Sequence, residues 1–287
     1  MSEGHIAWTW RGKSVDLGCD TRGRGPTVLL LPALSSISTR AEMRPLADAL
    51  ASTFTTIAVD WPGFGDRPRP AVAWAPDAFR DFLAFLLQTR GTPFATIAAG
   101  HAAGYLMAHA AAHPGAAGQL CLVAPTWRGP LPTMMGGRRT AFRTVAELVD
   151  LPVIGPALYR LNVNGPMIRM MVAAHVYADP GWLAGARLAE KRAVTNARGA
   201  RHASFRFVAG ELDPMATRED FLAAGGGLAD PTLVVYGAKT PPRSRAEMEA
   251  LAQLPRIASR VVPDGKLAVH EEFPVPVAKA VQEFLAG

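Results

Sequence analysis

Cysteine is nearly absent from this 287-residue chain: only Cys19 and Cys121 occur. Cys121 falls in an apolar strand pattern and Cys19 near a turn, so no disulfide is expected and a reducing cytoplasm fits. No uninterrupted apolar run reaches the roughly 18 residues of a membrane-spanning helix. The Ala-rich stretch from Phe94 to Pro125 comes closest, and His, Gly and Gln interrupt it. Met1-Ser2-Glu3-Gly4-His5 lacks a basic stretch followed by an apolar one, so no secretory leader is expected. There is no Walker loop and no G-x-G-x-x-G after a strand. No aromatic–basic platform or reading helix marks a nucleic-acid binder. His109 and His113 share a helix face, but no Glu or Cys accompanies them in sequence, so neither a metal nor another cofactor is expected.

What is present is a globular, somewhat apolar composition: 49% hydrophobic residues and a mean hydropathy of +0.11. The length suits one large α/β domain or a core with an insertion. Ile6–Trp10 and Ser14–Cys19 read as short strands. Thr27–Leu31, Thr55–Val59, Phe94–Ala98 and Leu120–Ala124 read as apolar strands buried on both faces. Helical spacing separates them at Thr39–Ser52, Pro76–Thr89 and Ala102–His113. Strands resume at Thr232–Tyr236 and Arg260–Val262, with a helix at Ser244–Leu254 between them and a closing helix at Val277–Leu285. Strands alternating with helices imply a mainly parallel sheet covered on both faces.

After Pro125 the alternation stops. Residues 127–204 carry helical stretches and no strand run, so the chain divides into a core at 1–126 and 205–287 and a helical cap at 127–204. The cap has eleven Lys and Arg against four acids, and the whole chain is +6, so the excess charge sits there. Two readings stay open. One is a solvated basic face. The other is attraction for an anionic partner: a carboxylate, a phosphorylated ligand or an acidic membrane surface. Met170 and Met171 beside Arg169 suit either a cap helix packed on its core or a greasy ligand. Gly136-Gly137 and Gly225-Gly226-Gly227 are flexible points in sequence; an oligomeric state is not legible.

Three motifs stand at strand ends in order: Leu30-Leu31-Pro32-Ala33-Leu34, Asp60-Trp61-Pro62-Gly63-Phe64-Gly65, and Gly100-His101-Ala102-Ala103-Gly104. Together they resemble the α/β-hydrolase fold of the capped, epoxide-hydrolase-like and haloperoxidase-like kind, over residues 26–126 and 231–287. The resemblance implies a doubly wound, mostly parallel eight-stranded sheet with an inserted helical cap. It implies a nucleophile, an acid and a histidine in that chain order. The nucleophile position of the G-x-S-x-G turn holds Ala102. The acid position, three residues beyond Gly237, holds Thr240. The histidine position, five residues before Glu272 and seven before Pro274, holds Leu267. None carries the needed oxygen, charge or imidazole.

Substitutes are His101, Asp213 and His270. His101 reads as a helix-start residue bonding a loop, or as an acid–base group. Asp213 reads as the N-cap of a helix at Ala216–Ala223, or as the replacement acid. His270 reads as a loop histidine, or as a base in a rearranged loop. The backbone N–H groups of Leu34 and Ala103 are candidate oxyanion donors, because they need no particular side chain. Three functions follow. The first is non-hydrolytic binding of a small apolar acyl or carboxylate ligand in a capped pocket. The second is altered chemistry on that pocket, of lyase, isomerase or cofactor-free oxygenase type. The third is an esterase-like serine hydrolase seen as a Ser-to-Ala variant. Fold alone does not choose among them.

Overall fold

The computed structural model describes residues 2–163 and 165–287. Its strands are β1 (Ser2–Trp10), β2 (Lys13–Gly23), β3 (Thr27–Leu31), β4 (Thr55–Val59), β5 (Ala95–Ala99), β6 (Gln119–Val123), β7 (Thr232–Gly237) and β8 (Ile257–Val262). They form one eight-stranded sheet in the order β1-β2-β4-β3-β5-β6-β7-β8. β2 runs antiparallel to both β1 and β4, and every other pairing is parallel. The expected doubly wound, mostly parallel architecture is therefore present.

The position of each strand follows from its pattern. β5, Ala95-Thr96-Ile97-Ala98-Ala99, is buried at every residue and lies inside the sheet. β1 buries Ile6, Trp8 and Trp10 and exposes the residues between them, as an edge strand with one wet face does. Its ladder to β2 runs from Ser2↔Thr21 to Trp10↔Lys13. That is longer than the apolar pattern predicts, because backbone pairing carries the polar ends along. β8 likewise begins at Ile257, three residues before the expected start, paired to β7 throughout.

Helices α1 (Arg44–Leu50), α2 (Pro76–Arg90) and α3 (His101–Ala112) follow β3, β4 and β5. The single helix expected over 39–52 is broken into a 3-10 turn at Arg40–Met43 and α1, with Pro45 in α1's first turn. Between β6 and β7 stand α4 (Pro130–Met134), α5 (Thr140–Asp150), α6 (Ile154–Asn162), α7 (Gly165–His175), α8 (Gly185–Asn196), α9 (Ala200–Ala209) and α10 (Arg218–Gly226). α9 continues past 204, through the point where the sequence pattern divides core from cap. After β7 come α11 (Pro242–Ala252), α12 (Val269–Glu272) and α13 (Pro274–Ala286). No described helix is long and apolar enough to cross a membrane.

The core is apolar and aromatic. Phe79 and Phe82 of α2 are fully buried, and their rings meet Trp61, Trp74, Tyr105 and Trp8. Trp61 also donates its indole N–H to Pro32 O at 2.9 Å, tying the Asp60–Gly65 motif to the loop after β3. Asp60 accepts from the Thr39 hydroxyl at 2.9 Å, the Arg40 N–H at 2.6 Å and the Arg40 guanidinium at 2.6 Å. These bonds fix two of the three strand-end loops against each other. Cys19 and Cys121 are buried free thiols.

Candidate functional site

The turn between β5 and α3 holds the first surprise. Its strained residue is Gly100, with φ +53° and ψ −124°, a conformation that side-chain-bearing residues rarely adopt. The helix starts at the next residue, His101, so Ala102 lies within the first helical turn and is fully buried. The five-residue pattern places the tip at Ala102; the backbone places it two residues earlier. The reason is local: Ala103 N–H already donates to Gly100 O at 3.2 Å, closing the turn there. At the tip there is only a hydrogen. A side chain at Gly100 would come within 3.2 Å of Ala33 Cβ and 3.9 Å of Thr126 Oγ1. Gly104 is needed for packing, since a Cβ there would lie 2.6 Å from Pro214 Cγ and 3.1 Å from Thr126 O.

The two expected oxyanion donors fare differently. Ala103 N–H is occupied within the turn. Leu34 is buried, and its N–H makes no hydrogen bond among the described residues. Its neighbour Ala33 donates its N–H to Glu42 Oε1 at 2.6 Å.

His101 and Asp213 meet. His101 Nε2 lies 3.1 Å from Asp213 Oδ1, and both side chains are almost wholly buried. The other ring nitrogen, Nδ1, lies 2.9 Å from Thr126 Oγ1. Phe207 packs edge-on against the imidazole, 5.1 Å between ring centroids. Asp213 is not the cap of the following helix. Thr217 caps α10, accepting from Asp220 N–H in a capping box, because a Thr with an acid three residues on satisfies two end donors at once. Asp213 instead receives the Gly129 N–H at 2.8 Å and the Arg138 guanidinium at 2.8 and 3.2 Å. One carboxylate thus joins α3, the start of the helical insertion and the loop before α10.

His270 stands beside Glu42. It sits on α12, buried, with Nε2 3.5 Å from Glu42 Oε1: an ion-pair distance, longer than a well-formed hydrogen bond. Lys191 of α8 lies 3.0 Å from Glu271 and 3.9 Å from Glu42, and Tyr177 donates its hydroxyl to Glu271 at 2.8 Å. Burial pushes the Glu42 carboxyl up, but His270, Lys191 and the Ala33 N–H outweigh it and hold it below the ordinary range. Burial pushes Lys191 down, and Glu271 and Glu42 more than reverse that. This cluster clamps the insertion to the loop after β3 and to α12.

Thr240 is buried after β7, and its hydroxyl has no hydrogen-bond partner. Leu267 is partly buried against the core. Neither supplies charge. The His109 and His113 rings lie 4.8 Å apart, tilted by 47°, and no set of three or more metal-binding side chains occurs among the described residues. Sequence reasoning missed Thr126, Glu42, Lys191, Glu271, Tyr177 and Arg138. Only Thr126 carried a usable signal: it lies three residues past the carboxyl end of parallel strand β6, where open α/β sheets place their ligands.

A family model described as "Alpha/beta hydrolase family" matches residues 28–280. No curated protein matches the chain. Solved structures do. A bromoperoxidase from Bacillus anthracis is 15% identical with a TM-score of 0.72, covering 99% of this chain and 100% of that one. A thermophilic esterase from Thermogutta terrifontis, with malate bound, is 22% identical with a TM-score of 0.72, covering 100% and 98%. The epoxide hydrolase CorEH, without ligand, is 19% identical with a TM-score of 0.71, covering 99% of each chain. At these identities the likeness is one of fold.

Proposed function

The chain belongs to the alpha/beta hydrolase family, and on that premise we propose that its elbow receives a small acyl or carboxylate-bearing ligand without supplying a nucleophile. The observation that carries this reading is the glycine at the strained turn. In the family's elbow the attacking side chain is presented from that conformation. Here the tip offers no atom beyond the backbone. Ala102 cannot replace it, because it is packed in the first turn of α3.

The remaining polarity suits binding. The unpartnered Leu34 N–H lies in the strand-end loop that faces the tip. The basic excess of the insertion favours an anionic group. The ligand is therefore read as a small molecule, apolar with one carbonyl or carboxylate. Two buried free thiols support a reducing compartment.

Three measurements test the reading. A serine-directed fluorophosphonate labels no serine. Native mass spectrometry of the purified protein, alone and with added butyrate, reveals a retained small molecule. Ala102→Ser and Gly100→Ser each fail to bring esterase-level rates, because neither restores an acid at Thr240 or a histidine at Leu267. Esterase-level rates from either single change would overturn the reading and favour an ordinary serine hydrolase that lost one atom. The alternative of altered chemistry has its own observation in its favour, the His101–Asp213 contact at 3.1 Å.

A further inference from the structure

We infer that His109 and His113 form a two-imidazole clamp for a divalent transition metal, copper before nickel or zinc, at the end of α3 remote from the elbow. His109 stands just over two helical turns beyond His101, about 12 Å along the axis. The clamp therefore neither needs nor disturbs the ligand site proposed above.

Spacing supplies the first reason. Residues four apart share a helix face, and His109 lies in the last turn of α3 with His113 at its C-cap. The helical hydrogen bonding carries through to the second ring, since His113 N–H donates to His109 O at 2.9 Å. The ring centres are 4.8 Å apart. A metal takes one nitrogen of each imidazole at about 2.0–2.1 Å, and bond angles between about 90° and 110° then set the ring centres roughly 4.5–5.3 Å apart. The observed separation falls inside that window.

Both imidazoles are free to bind. Neither ring takes part in a hydrogen bond or ion pair among the described residues. His113 is exposed and His109 half-buried. They line an open cleft of about 390 Å³, shared with Leu87 and Gln88 of α2 and with Gly91 and Thr92 after it. Among the described residues no Lys or Arg lines this cleft. The last carbonyls of α3 place the negative end of the helix dipole beside it, which favours a cation. The turn that ends α3 is also pinned. Asp230 accepts the Gly115 N–H through both carboxylate oxygens, at 3.0 and 3.1 Å, and Ala116 N–H donates to His113 O at 3.2 Å. Ligands already held in place lose little freedom on binding.

The donor atoms select the metal class. Imidazole nitrogen suits copper, nickel and zinc, whereas magnesium and calcium require oxygen donors. Among divalent ions a nitrogen site binds copper most tightly. No third His, Cys, Asp or Glu joins the pair among the described residues. The remaining coordination positions therefore fall to water or to a small ligand from solution, as at an open site. The sequence shows no Glu or Cys beside the pair; the fold adds the cleft and the ring separation.

The test uses the full chain without an affinity tag, stripped with a chelator and titrated calorimetrically with copper, nickel and zinc chlorides. The expected result is one copper per chain at this pair, bound more tightly than nickel or zinc. Electron paramagnetic resonance of the copper form shows coupling to two imidazole nitrogens. His109→Gln and His113→Gln each weaken copper binding by about 10-fold or more, at least the loss that removing an outer-shell partner brings. Both rings reach solvent, so far-ultraviolet circular dichroism of either variant matches wild type. His5→Gln, at an exposed position of β1, leaves the affinity unchanged. Undiminished copper binding in the His109→Gln/His113→Gln double variant would overturn the clamp. So would loss of binding on His5→Gln, or no copper uptake by the wild-type chain.

Discussion

Phe79 in the core is fully buried, ringed by Trp61, Phe64, Trp74 and Tyr105, whereas Val153 in the helical insertion is 82% exposed. The contrast extends across both regions. The sheet and its helices share one continuous apolar cluster that reaches Ala203 and Phe207 of the insertion, and two small clusters lie within the insertion and between it and Ala268. Met134, Met135, Leu151, Ile154, Leu161 and Met170 of the insertion are all exposed. Ion pairs run through and around the insertion: Asp213 with Arg138, Asp150 of α5 with His202 and Arg206 of α9, and Lys191 between Glu42 and Glu271. The sheet is thus held by burial, which is non-directional. The insertion adds directional contacts to its apolar ones, among them Phe207 against Phe64 and Tyr177 and Ile168 in a cluster with Ala268.

That difference can be broken from either side. The largest effect is expected in the core. Phe79→Ala removes a ring with no room to collapse and costs about 3–5 kcal/mol. Denaturant unfolding should show one earlier, cooperative transition for the whole chain. A second change attacks the clamp. Lys191→Met leaves Glu42 and Glu271 buried without their cation, a loss on the order of 3 kcal/mol. Here hydrogen exchange should rise in α8 and α12 while the amides of β3, β5 and β6 stay protected. Equal loss of protection in the sheet would show that the two regions are not held separately.

The smallest effect sharpens the comparison through pH. The Glu42 carboxyl is held below its ordinary value in the folded state. Its contribution is therefore complete above the unfolded carboxyl's titration and is lost as pH falls through the lower, folded one. Acidification into and below the carboxylate range should loosen the insertion before the apolar sheet. Near-ultraviolet circular dichroism, which reads the stacked Tyr177 and Trp182 of the insertion, should change ahead of the far-ultraviolet signal. Coincident loss of both signals would contradict the ordering.

The fold was legible for physical reasons. Runs such as Thr27–Leu31 admit no solvated face, so they declare a buried strand whatever surrounds them. The glycine-rich strand ends declare tight turns. Boundaries were less legible: the edge ladder of β1 with β2 outruns its apolar pattern, and Pro45 divides a helix that periodicity alone joins. The site was legible only in part. His101 and Asp213 stood out as polar residues beside turns, but whether they met was a question about positions 112 residues apart.

The sequence by itself determined the order of strands and helices, a tight turn between β5 and α3 and the absence of a serine from residues 100–104, because those follow from local composition and short-range sterics. Tertiary structure alone decided that the strained residue is Gly100 and that His270 stands 3.5 Å from Glu42. It also decided that Thr126, His101 and Asp213 converge. A hydrogen bond forms over about 3 Å, whatever the chain separation, and no local pattern encodes which distant groups the packed sheet will bring within that reach.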